Sequence, residues 1–124
     1  MRFLSIYKHV ESNTPPTAEE MATMGKLAEQ GFREGWLIAT EGCLPSALGA
    51  RVRRTNGKIT ATDGPFTEAR ELVGGFAILK ANSREEAIEL TKHFLSLAGD
   101  GECEIRQLHE AGECMEQAKE ALAS

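Results

Sequence analysis

The sequence predicts a single α+β domain with a ferredoxin-like arrangement, in which an antiparallel sheet carries two helices on one face. Two capping boxes of the form Ser/Thr-x-x-Glu, Thr17–Glu20 and Ser83–Glu86, each open an amphipathic helix that lies between two strand-like runs. Between the two β-α-β halves, Asn56-Gly57 is a strong signal for a two-residue hairpin turn. The predicted order is therefore β-α-β-(β-hairpin)-β-α-β.

The first half begins with a strand over residues 2–8, which carry several β-forming side chains. A polar loop ending in Pro15-Pro16 leads to the first helix, which ends near Gly35, a residue suited to a left-handed cap. Apolar side chains occur in this helix at the spacing of one buried face: Met21, Met24, Leu27, Ala28, Gly31 and Phe32. Trp36–Cys43 is the second predicted strand, and residues 44–49 are predicted to form a loop.

The second half follows the hairpin, whose strands are predicted over residues 51–55 and 58–62. A strand is predicted from Leu72 to Ala81, and a second helix runs from the Ser83 cap to Gly99. The inward residues of this helix are predicted to be Ala87, Leu90, Thr91, Phe94, Leu95 and Ala98. The last strand is predicted from Glu102 to Leu108, so that one domain covers residues 1–110 and a short helical extension covers 111–124.

The strand from Leu72 to Ala81 is apolar on both faces. Strict alternation gives one face Leu72, Phe76 and Ile78 and the other face Val73, Ala77 and Leu79. A sheet with helices on one side only should carry polar residues on its other side. We therefore expect a partner subunit to cover the second face; the alternatives are the hairpin at 51–62 or the C-terminal helix.

Composition and charge exclude several classes of protein. The chain has 124 residues, 41% hydrophobic and 27% charged, with a net charge of −5, which argues against non-specific nucleic-acid binding. No run is long and apolar enough for a membrane span, and the N-terminal run is too short for a signal peptide. The three unpaired-looking cysteines, Cys43, Cys103 and Cys114, predict a reduced, cytoplasmic setting.

The most informative motif is Asp63-Gly64-Pro65-Phe66. Asp-Gly and Gly-Pro both favour turns, and a sharp turn presents the Asp63 carboxylate with Phe66 as an apolar anchor beside it. Gly64 can take a positive φ, and Pro65 biases it away from the helical region. The alternative is an ordinary loop in which Asp63 bonds its own backbone.

With its longer context, the motif makes the chain resemble the YciI-related family, in the branch named for Asp-Gly-Pro-Phe. The matching runs cover the chain to about Glu110; they are residues 40–45, 49–53, 62–71, 74–76, 83–87 and 104–108. Family members are similar to dimeric α/β barrels, in which two ferredoxin-like sheets enclose a cavity. The resemblance therefore implies a homodimer.

The resemblance also implies roles for particular residues. It carries over Asp63 and, more weakly, Glu41, whereas the His–Asp pair of the founding branch has no counterpart in the first helix, which contains no His. Arg70 stands where the family string usually has Lys. Members of the branch are often found beside genes for alternative sigma factors, which implies a regulatory alternative.

The candidate catalytic residues are Asp63, Glu41 and His9, because two carboxylates and an imidazole at strand ends can form an acid–base site in a cavity. The alternatives are that Glu41 pairs with Arg51 or Arg53 and that His9 lies on the surface. The candidate ligand-binding residues are Lys8, Arg53, Phe66 and Arg70. The ligand spacings of metal and phosphate sites are absent, so no metal and no cofactor are expected.

Two functions follow as hypotheses. One is a small cofactor-independent enzyme, an isomerase, lyase or oxygenase by fold analogy, with its acid–base site centred on Asp63 in a dimer cavity. The other is a non-catalytic protein that binds a small molecule in the same cavity, with a regulatory role linked to sigma-factor-controlled transcription. A structural interaction module with a filled cavity is a third, plainer option.

Overall fold

A computed structural model of the chain describes residues 1–12, 14–110 and 122. It contains β1 (Arg2–His9), α1 (Ala18–Glu34), β2 (Leu37–Gly42), β3 (Ala50–Thr55), β4 (Lys58–Asp63), β5 (Leu72–Lys80), α2 (Arg84–Ala98) and β6 (Glu102–Gln107). The predicted order of elements is confirmed. A single 3-10 turn, Ser46–Leu48, lies in the predicted loop between β2 and β3. The helical extension predicted over 111–124 lies outside the described residues, apart from Leu122.

The main sheet has four antiparallel strands in the order β2-β5-β1-β6. The first strands of the two β-α-β halves, β1 and β5, are the two inner strands, and the second strands, β2 and β6, lie at the edges. This interleaving of the two halves is the ferredoxin-like arrangement that the sequence predicts. The strands β3 and β4 form a separate two-stranded sheet.

Both helices begin at the predicted caps. The Glu20 amide donates to the Thr17 hydroxyl at 3.1 Å, and the Glu86 amide donates to the Ser83 hydroxyl at the same distance. The return contacts differ from an ideal capping box, because the Glu86 carboxylate accepts from the amide of Asn82 rather than that of Ser83. Gly35 and Gly99, at φ 84° and 97°, end the helices as predicted.

The core lies between the helices and one face of the sheet. Five hydrophobic side chains are buried in the described part of the chain: Phe3, Leu37, Leu79, Ala81 and Ala87. The α2 helix presents its predicted face, with Ala87 and Thr91 buried.

The α1 helix approaches the sheet at Gly31, where an added Cβ would lie 2.8 Å from the Cβ of Leu37. Met21 and Phe32 were expected to point inward, but they are 63% and 50% exposed. At 100° of rotation per residue they lie about 80° and 100° around the helix from Gly31, off its contact line.

Neither of the two described helices lies on the opposite face of the sheet. Phe3 and Tyr7 of β1 point towards α2, so the alternate residues Leu4 and Ile6 point to the other face, where the register pairs them with Ile78 and Phe76. These four apolar side chains, which we call the open face, are only half-buried.

An irregularity in β5 changes one detail of the prediction. The β1–β5 register shifts between Tyr7 and Lys8, opposite Gly74, so that Lys8 pairs with Val73. The extra residue inverts the alternation and places Val73, not Leu72, on the side of the open face. The strand is apolar on both faces, as predicted.

The hairpin does not cover the open face. Asn56 and Gly57 have φ 50° and 80°, which confirms the type I′ turn. Every residue of β3 and β4 is exposed, so this hairpin projects from the body of the protein. The alternative that the hairpin at 51–62 covers the second face of the sheet is therefore wrong.

Candidate functional site

A groove of about 540 Å³ lies at the end of the sheet where β1 and β2 finish and β5 begins. The loops that follow these strands, the start of β3 and the Asp-Gly-Pro-Phe turn supply its walls. Most of the lining side chains are apolar; they include Leu44, Pro45, Leu48, Phe66, Leu72 and Val73. Leu44 and Leu48 are 77% and 74% exposed, so the groove opens to solvent.

The groove is held together by a carboxylate and a serine that come from two different loops. Glu11, just beyond β1, accepts the Ser46 amide at 2.6 Å and the Ser46 hydroxyl at 2.7 Å. The Ser46 hydroxyl oxygen in turn accepts the Phe66 amide at 3.4 Å. We call Glu11, Ser46 and the Phe66 amide the latch. The hydrogen bonds from Ser46, with a smaller contribution from the charge of His9, hold the pKa of Glu11 below its ordinary value.

Gly64 fits this turn because of a close approach and not because of its φ. It is absent from the residues with positive φ, a conformation that the sequence allows at Gly64 but does not require. A Cβ on Gly64 would lie 1.7 Å from the Ser46 carbonyl oxygen and 2.6 Å from its carbon. The Gly64 amide donates to the Gly49 carbonyl at 3.0 Å, and its peptide bond to Pro65 is cis. The motif therefore packs its backbone directly on the 3-10 turn.

Phe66 and Arg51 form the charged rim of the groove. The Arg51 guanidinium carbon lies 3.9 Å from the centroid of the Phe66 ring, which is cation–π geometry. The same guanidinium forms an ion pair with Glu68. A backbone hydrogen bond and, after it, the hydrogen bond from Arg51 lower the pKa of the Glu68 carboxyl. Phe66 and Arg51 both line the groove, whereas Arg53 is absent from its lining.

The three candidate catalytic residues lie in different surroundings. Asp63 ends β4, is exposed, and pairs across the hairpin with Ala50, which lines the groove. Glu41 is exposed and shares the open-face side of the sheet with Phe76, its partner in register. His9 lies on the helix side, where its ring stacks on Tyr7 with centroids 5.1 Å apart.

The alternative pairings considered from the sequence can also be placed. Among the described residues, Asp63 accepts no hydrogen bond from its own turn, and Glu41 forms no ion pair with Arg51 or Arg53. Neither carboxylate is therefore committed to a structural contact within the described chain. The structure does not gather Asp63, Glu41 and His9 into one cluster.

The ring of His9 belongs to a packed aromatic group. Tyr7 lies between His9 and Phe94 of α2, with centroids 5.3 Å apart on the Phe94 side. Gly74 and Gly101 make room for these rings, since a Cβ on Gly74 would lie 2.5 Å from the His9 ring and one on Gly101 2.6 Å from the Tyr7 ring. Burial raises the pKa of Tyr7, as do the nearby groups of Cys103, Asp100 and Glu71. A side chain at position 74 would therefore collide with the His9 ring, which accounts for a glycine inside this strand.

The remaining predicted ligand-binding residues are dispersed. Lys8 lies on the open-face side and forms an ion pair with Glu104 at 3.1 Å, whose hydrogen bond and charge raise the pKa of Lys8. Arg53 is exposed on the hairpin, and Arg70 is exposed after the Asp-Gly-Pro-Phe turn. Of the predicted ligand-binding set, the groove lining includes Phe66.

Two residues that organise the groove are not indicated by the sequence. Glu11 lies in a polar loop and Ser46 in another, 35 residues apart, and nothing in either segment indicates that they bond. Pro45-Ser46 ahead of a short apolar run indicates a turn at this point of the chain. It does not indicate which residue Ser46 bonds.

The described part of the chain offers no ready metal centre. No group of three or more His, Cys, Asp or Glu side chains within it is arranged to hold a metal ion. Cys43 lines the groove as an exposed free thiol. Cys103 is a half-buried free thiol whose pKa is raised mainly by burial. No helix among the described residues is both long and apolar enough to cross a membrane.

A comparison with known families gives one match, to the YCII-related domain, over residues 1–111. The matched region contains all of β1 to β6, the latch and the groove. No curated protein matches the chain.

Proposed function

The chain belongs to the YCII-related family, and we propose that it is a homodimer that binds a small, largely apolar organic molecule in the groove beside the Asp-Gly-Pro-Phe turn. The observation that carries the proposal is the groove itself, about 540 Å³ in volume and walled mainly by apolar side chains. Ligand sites are typically clefts of this size, with an apolar lining and a few fixed polar groups.

The groove is pre-organised by contacts that a plain surface loop does not need. The latch joins three loops through a charged carboxylate, and charge-assisted hydrogen bonds of this kind are among the stronger ones. The Arg51 guanidinium, fixed over Phe66 by its ion pair with Glu68, is a donor for an anionic group at the rim. We therefore expect the ligand to combine an apolar body with a carboxylate or a similar anion.

The homodimer is supported by the apolar surface that the described part of the single chain leaves exposed. The open face is apolar and is not covered by described residues. An apolar face of a sheet is typically covered by a second layer, and a second copy of the chain can supply that layer.

A thermal-shift screen tests ligand binding. The library consists of small aromatic and aliphatic carboxylic acids together with their uncharged amides. We expect at least one acid to raise the melting temperature of the wild type and its amide to raise it less, because only the acid can pair with Arg51. If no compound shifts the wild type, the proposed ligand class is wrong.

A matched pair of variants then localises any hit. Leu48→Ser removes an exposed apolar wall of the groove, and Leu97→Ser makes the same change on α2, where Leu97 is 42% exposed and does not line the groove. A hit that is weakened by Leu48→Ser but retained by Leu97→Ser supports the groove. Equal loss in both variants places the binding elsewhere.

Acid–base catalysis on the bound molecule is the second candidate function. It is favoured by Asp63, an exposed carboxylate that pairs with Ala50 of the groove wall and takes part in none of the ion pairs of the described residues. We expect Asp63→Asn to abolish turnover of a groove ligand while leaving the melting temperature close to that of the wild type. A lowered melting temperature with no effect on turnover would instead assign Asp63 a structural role.

A further inference from the structure

We propose that the β3–β4 hairpin is an arm whose apolar face packs against the open face of a second copy of this chain. The arm comprises residues 50–63. The inference rests on the homodimer proposed above and adds to it the segment that reaches across and the face that it uses.

The arm has two chemically distinct faces. Residues directly opposite each other in an antiparallel pair share a face, so Val52 lies with Ala61, and Ile59 lies on that same face two residues away. Ala50 continues this apolar stripe towards the base, and the same face also carries two charged side chains, Asp63 opposite Ala50 and Arg54 opposite Ile59. The opposite face has no large apolar side chain; it consists of Arg51, Arg53, Thr55, Lys58, Thr60 and Thr62. An apolar centre on one face only is typical of a hairpin that packs that face against another surface.

Within its own chain the apolar stripe packs against nothing described. Val52 and Ile59 are 72% and 68% exposed, among the most exposed large hydrophobic side chains of the described residues. Scattered exposed apolar side chains are ordinary, but an aligned stripe on an otherwise polar hairpin marks an interaction surface.

The base of the arm is fixed, whereas its tip is not. The Gly64 amide bonds the Gly49 carbonyl at 3.0 Å, and Arg51 is held by Glu68 and Phe66. Each strand of the arm has six residues, which gives a length of about 20 Å, whereas a four-stranded sheet is about 14 Å across. The arm is therefore long enough to cross the sheet of a partner.

Charge favours a second copy as the occupant. The arm contains four basic side chains and one acidic side chain, which gives it a net charge of +3. Because the whole chain has a net charge of −5, the residues outside the arm have a net charge of −8. On the open-face side, Glu41 of an outer strand takes part in none of the ion pairs of the described residues, whereas Glu104 is already paired with Lys8 and Arg106. A basic arm and an acidic body on the same chain are complementary between two copies related by a two-fold axis.

The apolar surfaces are also continuous. Ala50 of the arm and Val73 both line the groove, and Val73 shares the open-face side with its partner in register, Lys8. The arm, the groove and the open face therefore form one connected surface, which a two-fold partner can cover as a single interface.

Adjacent residues on opposite faces of β4 give a matched test. Ile59→Glu and Thr60→Glu each add one negative charge, and each places a carboxylate directly opposite an arginine, Arg54 or Arg53. Dimer dissociation constants are measured by sedimentation equilibrium. We expect Ile59→Glu to raise the constant by at least about tenfold and Thr60→Glu by much less, because only Ile59 is buried in the interface.

The outcomes distinguish a failure of the proposed arm contact from a failure of the proposed homodimer. If both variants dimerise as tightly as the wild type, the proposed packing of the arm against the second copy is wrong, whereas the proposal of a homodimer is retained. If the wild type is monomeric at every concentration tested, the homodimer fails and the arm fails with it. Equal weakening by both variants also overturns the arm, since it would reflect charge and not the apolar stripe.

Photo-cross-linking identifies the surface that the arm meets. The substitution Ile59→p-benzoylphenylalanine is placed in an equal mixture of isotopically light and heavy protein. We expect mixed-isotope cross-links to peptides that contain Leu4 and Ile6 or Phe76 and Ile78. Cross-links confined to one isotope show that the arm folds back on its own chain, which overturns the proposal.

Discussion

Replacing Gly64 by alanine tests the packing of the Asp-Gly-Pro-Phe turn. The new Cβ would lie 1.7 Å from the Ser46 carbonyl oxygen, about half of a normal contact distance, and that oxygen is a backbone atom that cannot rotate away. The turn and the 3-10 segment must separate, which weakens the Gly64–Gly49 and Phe66–Ser46 hydrogen bonds. Overpacking of this kind costs about 3 kcal/mol of unfolding free energy.

The corresponding change in melting temperature follows from the size of the chain. With an unfolding entropy of about 2.1 cal/mol/K per residue, a loss of about 3 kcal/mol lowers the melting temperature of a 124-residue chain by about 11 °C. Differential scanning calorimetry at one fixed protein concentration measures it, since a dimer melts at a concentration-dependent temperature.

Gly25→Ala is the matched control. Gly25 is exposed in the interior of α1, and an added Cβ there meets nothing within 4 Å. Alanine is the better helix former by about 1 kcal/mol, so this variant should melt about 4 °C higher than the wild type. If Gly64→Ala melts within about 2 °C of the wild type, the close approach to Ser46 does not exist and the account of the motif is wrong.

Two further predictions concern the latch and the core. Because the folded pKa of Glu11 is lowered, its contribution to stability is complete above the ordinary pKa of a glutamate and is lost as the pH falls through the folded value. The melting-temperature gap between wild type and Glu11→Gln should therefore shrink on acidification towards pH ~3; a constant gap would contradict the role of the charge. Phe3, 2% exposed, is the largest fully buried side chain described, so Phe3→Ala should cost about 3–5 kcal/mol in chemical denaturation. A loss below about 1 kcal/mol would mean that the core lies elsewhere.

The fold could be predicted because its signals are local. Thr17 and Ser83 cap helices through hydrogen bonds that span three residues, and Asn56-Gly57 fixes its turn by backbone conformation alone. Such features depend on neighbours in sequence, which the sequence displays directly. The strand order then follows from two β-α-β halves with few alternative connections.

The groove could not be predicted, because its determinants are distant in sequence. The bond between Glu11 and Ser46 joins two loops, and the need for Gly64 arises from a carbonyl 18 residues earlier rather than from its own φ. The bulge at Gly74 likewise places that glycine against the His9 ring of a neighbouring strand. The sequence indicates a turn at Asp-Gly-Pro-Phe, yet it cannot show which atoms this turn packs against.

The candidate catalytic set illustrates the same limit. Asp63, Glu41 and His9 all lie near strand ends, which suggested a shared cavity. Whether two strand-end side chains meet depends on the face of the sheet, and here Glu41 and His9 lie on opposite faces. A one-residue bulge is enough to change such a face, and it leaves only a weak trace in the sequence.

The most direct test of the account is the mass of the wild-type chain in solution, measured by sedimentation velocity over a range of concentrations. The open face and the exposed arm underlie both proposals, and both require a second copy to cover them. We predict a dimer of twice 13.5 kDa that dissociates only on dilution. A monomer of 13.5 kDa at every concentration would contradict the account, because the apolar face would then be covered from within the same chain.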